Sequence, residues 1–139
     1  MCAVKAALSS GGFLPGGGSA LLQAQFALDG LLAAESASTD WRHGVVAARR
    51  ACFAPFEKTA SNSIGSDDVA GLRERVLASG LSGGGINFAR RDFSQNSEAH
   101  EVEDLVAVGV IDPVLVVKNS LLYGASIASI LLTADCAVL

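Results

Sequence analysis

The stretch Leu14-Pro15-Gly16-Gly17-Gly18-Ser19-Ala20-Leu21-Leu22 sets a glycine-rich turn directly against the start of an apolar helix. Three successive glycines remove every Cβ at the bend, so the backbone can take positive φ and approach a second backbone or a ligand closely. The first N–H groups of the following helix have no intrahelical acceptor and carry the positive end of its dipole, which makes the turn a candidate anion or phosphate site. The same residues also suit a tight connector between two elements. Spacing excludes two familiar phosphate motifs. Gly12 to Ser19 reads G-x-x-x-x-G-x-S with Gly18 where a P-loop needs lysine, and Cys2–Leu8 ahead of it is alanine-rich and helical instead of a strand. The dinucleotide pattern G-x-G-x-x-G fails at Leu21.

On either side of the turn the periodicity is helical, and the chain reads as mainly α: a bundle of about five to six helices with one short extended segment and a C-terminal edge strand. Met1–Ser10 reads as the cropped end of a helix closed by Gly11-Gly12. A second helix from about Gly17 to Ser36 carries Leu21, Leu22, Phe26, Leu28, Leu31 and Leu32 around most of its circumference, which predicts burial on several sides, with a close backbone at Gly30. A third runs from about Trp41 to Ser63, capped by Asp40 and kinked at Pro55. Ser66-Asp67-Asp68 opens a fourth, through about Ser79, with Val69, Leu72, Val76 and Leu77 inward. A second glycine cluster, Gly80 to Gly85, leads into an extended Ile86–Ala89. Arg90–His100 is polar, and Glu101–Gly109 reads as a short helix. Asp112 is placed to cap a last helix, about Val114 to Thr133, with Pro113 at its first position and Val117, Leu121, Ala125, Ala128 and Leu132 buried. Ala134–Leu139 reads as an edge strand that promotes association.

The chain of 139 residues has the size of one domain, 1–139, with room for a core. Half of it is hydrophobic and only 17% is charged, below the usual quarter, so surface is expected to be buried against other chains or against further sequence. A net charge of −4 with no basic run argues against a nucleic-acid partner. Cys2, Cys52 and Cys136 are odd in number and far apart, as expected of buried thiols in a reducing compartment. Met1–Gly12 supplies no secretory signal, and Leu121–Leu132, broken by Ser126 and Ser129, is shorter than the roughly 20 residues of a membrane span. These features place the chain in the cytoplasm with no membrane partner. His43 and His100 stand alone, so no metal site is expected, and no serine, histidine and acid set points to a catalytic nucleophile.

Gly109-Val110-Ile111-Asp112-Pro113, followed by Val117-Lys118-Asn119-Ser120-Leu121-Leu122-Tyr123-Gly124-Ala125-Ser126-Ile127-Ala128, resembles the closing part of a group I ring chaperonin. The likeness continues through Leu131-Leu132-Thr133-Ala134-Asp135, and the glycine turn resembles the Gly-Gly-Gly-x-Ala-Leu of the same proteins. Ala51–Glu57 resembles their Ala-Leu-Glu-Ala-Pro helix, with the proline shared. The resemblance implies the C-terminal half of an equatorial domain, the ATP-binding and ring-forming part of a protein-folding ATPase. It implies nucleotide contacts from Gly16 and Gly17 at the turn, from Asn87, Phe88 and Ala89 on the base side, and from the Asp112 carboxylate on the ribose.

It also implies partners: other subunits of a homo-oligomeric ring, with unfolded clients and a co-chaperonin reached through other domains, in a cytoplasm or organelle matrix. Phe88 replaces a small residue of the family pattern, and Arg90–Val108 is longer than its counterpart. The family's phosphate loop, magnesium-binding segment and water-activating carboxylate have no counterpart in this chain, so it is expected not to hydrolyse ATP by itself. The alternative is a diverged, non-ATPase structural or interaction module on the same helical scaffold.

Overall fold

The computed structural model describes residues 2–9, 11–33, 38–64, 68–89 and 101–134. It is mainly helical, with short two-stranded sheets, as the periodicity predicts. The chain divides into two compact units, one of residues 14–112 and the other of residues 1–13 with 113–139.

The larger unit holds α2 (Ser19–Leu32), α3 (Thr39–Ala51), α4 (Ala54–Ile64) and α5 (Val69–Ala78), with α2 packed on the other three and α4 packed on α5. Its core is Leu22, Phe56, Ala60, Leu72, Val76 and Ile86, each essentially closed to solvent. Burial of a side chain of this size contributes about 1.5–3 kcal/mol. After α5, β2 (Gly84–Gly85) pairs antiparallel with β3 (Glu103–Asp104), which places Ile86 over the helices. β1 (Phe13–Pro15) pairs with β4 (Ile111–Pro113), and through these strands the chain passes from one unit to the other.

Several local expectations change. α2 buries only Ser19, Leu21, Leu22 and Gln25, while Phe26 is 57% and Leu31 48% exposed, so it is a one-sided helix. Among the described residues, nothing lies within 4 Å of a Cβ placed at Gly30. The helix expected over Trp41–Ser63 is two helices. Pro55 cannot donate to the carbonyl four residues back, and the break falls at Cys52-Phe53. Ser38, not Asp40, caps α3, its side chain accepting from the Trp41 N–H at 3.3 Å. Glu101–Gly109 is no helix. Asp104 Oδ1 accepts from the N–H groups of Val106 (3.0 Å) and Ala107 (3.2 Å), and this local alternative closes a turn after β3 that ends at Gly109 with φ +80°. Ile86–Ala89 contains no strand, because the sheet pairing falls two residues earlier at Gly84–Gly85.

The smaller unit holds α1 (Cys2–Ser9), closed by Gly11 and Gly12 with φ +111° and +94° as expected, and α6 (Val114–Leu132), on which α1 packs. Asp112 lies in β4, not at the cap. Pro113 takes the N-cap position with extended backbone and no side-chain cap bond. The burial expected for α6 is absent: Val117 is half-buried, but Leu121, Ala125, Ala128 and Leu132 are exposed, because α1 is eight residues against the nineteen of α6. By length and composition α6 is sufficient to cross a membrane, since it begins well before the apolar run at Leu121. The expected edge strand falls almost wholly on residues 135–139, outside the described residues, as does the polar segment 90–100.

Candidate functional site

The turn ahead of α2 is fixed by three separate contacts. Gly16 is buried and its N–H donates to the Val110 carbonyl at 2.9 Å, and a Cβ there would press on Val110 at 3.2 Å. Gly17 takes φ +63°, and its Cβ position faces the Ile86 carbonyl at 3.7 Å and Phe88 Cδ2 at 3.8 Å, which is ordinary contact. Its glycine is therefore required by conformation and not by space. Gly18, the N-cap of α2, takes φ +79°, and its Cβ position lies 2.5 Å from the Phe56 backbone nitrogen. No side chain caps α2 and no acid sits in its first turn, so the positive end of the dipole is unopposed there.

Of the six candidate residues, Gly16, Gly17 and Phe88 therefore meet at the turn, through contacts that also involve Ile86 and Val110, whereas Asn87, Ala89 and Asp112 lie next to those contacts in sequence. Phe88 is half-buried, with its ring edge-on to Phe56 at 5.7 Å between centroids and 62° between planes. Asn87 Oδ1 accepts from the Ala89 N–H at 3.1 Å, an Asx-type turn that leaves its side-chain amide N–H groups for other acceptors. Asp112 is half-buried on the strand paired with β1, two residues beyond Val110.

For a nucleotide, this set fits the sugar and base side. A carboxylate accepts ribose hydroxyls, and glycine backbone admits close approach. Among the described residues 11–33, 84–89 and 101–113 no lysine or arginine is present to meet a triphosphate; Arg90 and Arg91, which follow Ala89 in sequence, lie outside the described residues. No group of three or more metal-ligating side chains occurs among the described residues.

Sequence reasoning missed Gln23, whose side-chain amide donates to the carbonyls of Leu81 (3.1 Å) and Gly84 (2.7 Å), holding the glycine loop 80–85 onto α2. The available signal was a glutamine in an otherwise apolar helical run. It also missed a charged cluster on the larger unit. Arg49 pairs with Asp29 at 2.7 Å and Arg73 with Glu57 at 3.3 Å, and both guanidinium groups lie against the Phe53 ring, at 5.7 and 4.8 Å. Each cation there has its acid, so the cluster ties α2 to α5 without forming an anion site. Gln23, Phe26, Leu77, Gly80 and Leu81 line a cleft of about 260 Å³ between α2 and α5 that shares none of the six candidate residues. Cys52 is buried, and burial raises its thiol above its ordinary 9.0, which keeps it protonated and inert at neutral pH. No protein-family model matches the chain.

Proposed function

We propose that this chain is the C-terminal part of an equatorial domain of a group I chaperonin, supplying the sugar and base side of an ATP pocket to a ring-forming, protein-folding ATPase. The observation that supports it is that Gly17 lies against Ile86 and Phe88, and Gly16 against Val110, two residues before Asp112, although these residues are far apart in sequence. Asp112 would accept from ribose hydroxyls. Gly17 would admit the sugar against bare backbone, and Asn87 would donate its amide N–H to the base. Magnesium and phosphates would be held by the rest of the parent, as would the clients and co-chaperonin, in a cytoplasm or organelle matrix. This chain alone would bind ATP weakly, without magnesium dependence and without turnover.

The second reading, a structural module that no longer uses nucleotide, draws on Phe88, whose ring packs on Phe56 and beside Gly17 instead of leaving that surface small. Calorimetric titration of ATP into the parent separates the two. Asp112→Ala should weaken binding by roughly 1–3 kcal/mol, the range for a lost charged hydrogen bond. Because Asp112 caps no helix and is half-buried on β4, the fold should lose no more than about 1 kcal/mol, the centre of ordinary single substitutions. ATP binding that is unaltered by Asp112→Ala rules out the site, and a parent that binds no ATP leaves the structural module.

A further inference from the structure

The Cβ position of Gly17 faces the Ile86 carbonyl at 3.7 Å and Phe88 Cδ2 at 3.8 Å. These are contact distances for a methyl group, so the face of the turn that a sugar would use is already bordered by the Phe88 ring. The ring is held there from its other side. It stands edge-on to Phe56, 5.7 Å between centroids and 62° between planes, and Phe56 is closed to solvent in the core. Phe56 is in turn set against the glycine turn, since its backbone nitrogen lies 2.5 Å from the Cβ position of Gly18. Phe88 is thus wedged between the turn and the core, on the surface where the sugar and base of a nucleotide would meet.

We propose that Phe88 is a gate on this site: with its ring on Phe56 the base side is closed, and a nucleotide enters only when the ring swings away. The inference rests on the nucleotide reading. The local structure suits a movable side chain and not a fixed wall. Phe88 is half-buried, so its ring is not locked into the core as that of Phe56 is. It follows Asn87 in the turn that Asn87 Oδ1 closes by accepting from the Ala89 N–H, and this bond holds the backbone while the Phe88 side chain changes rotamer. Asn87 therefore keeps its place whether the gate is open or closed. The edge-on contact is also weak enough to break. By itself such a contact shifts a population by roughly two- to tenfold, and the buried area of the ring adds to that. A site whose open state is populated to about a tenth binds its ligand about tenfold more weakly. The gate suppresses binding without abolishing it, and it accounts for a ring that packs as a structural module would beside a turn that a nucleotide could use.

Titration of ATP into the full chain, followed by amide chemical shifts, tests this. Phe88→Ala should tighten binding about tenfold. Phe88→Leu, which keeps an apolar side chain on Phe56 but has no ring edge, should tighten it about threefold and covers the case in which alanine unsettles the core. Loss of packing cannot by itself raise affinity, so a gain separates a gate from a purely structural role. Adding Asp112→Ala to Phe88→Ala should weaken binding at least fivefold, which locates the gain at this site. Weaker binding in both Phe88 variants would show that the ring holds the base by stacking, and unchanged binding that it stands clear of the ligand. Either result overturns the gate and leaves the nucleotide reading standing. A gain indifferent to Asp112→Ala, or no ATP binding by the unaltered chain or by either variant, overturns the nucleotide reading and the gate with it.

Discussion

A methyl group at Gly18 would lie 2.5 Å from the Phe56 nitrogen and 2.7 Å from its Cα, on a residue already at φ +79°. Both penalties fall on rigid backbone. Gly18→Ala is therefore expected to destabilise the fold by about 2–4 kcal/mol, where Gly12→Ala, at φ +94° with nothing within 4 Å, should cost roughly 1–2 from conformation alone. Paired urea melts check the difference, and equal losses would remove the steric argument. Gln25 presents the opposite case. It is 1% exposed, and neither its amide oxygen nor its nitrogen has a hydrogen-bond partner in the protein. A buried unsatisfied polar group costs about 1–3 kcal/mol, so Gln25→Leu, close in volume, should stabilise by that order. A loss of stability in the same melts would mean that an internal water bonds Gln25 in the native protein.

At the scale of elements, α5 was legible because its apolar residues recur at helical spacing, and Leu72 and Val76 face inward as that pattern requires, while α1, α2 and α6 were legible as long apolar runs bounded by glycine or proline. The departures have local causes. Pro55 ended a helix instead of kinking it, and Asp104 drew the following amides into a turn where valines alone suggested a helix. Strand pairing at Gly84–Gly85 was hidden because glycine carries no alternating pattern, and the segment's position depends on a partner some twenty residues later. The contact of Gly16 with Val110 was not legible in the sequence pattern. No periodicity relates Gly16 to Val110, and the bond that joins them is between backbone atoms, which every residue but proline can make. For α6, the apolar count was legible and the direction of burial was not, because a helix apolar all round fixes no single inward face.

At the scale of the molecule, every residue of the buried core cluster among the described residues lies between Leu22 and Ile86, and α6 contributes none. Stability is therefore unevenly distributed, and amide exchange should resolve it. Amides of Leu22, Phe56, Ala60, Leu72 and Val76 should exchange only through global unfolding. Those of α6 past Ser120, with only α1 described as packing on that helix, should exchange through local opening. The prediction is thus a contrast: slow exchange in α2, α4 and α5, and faster exchange through local opening in α6 past Ser120. Protection of α6 equal to that of the core would overturn this contrast and show that α6 opens only with the core.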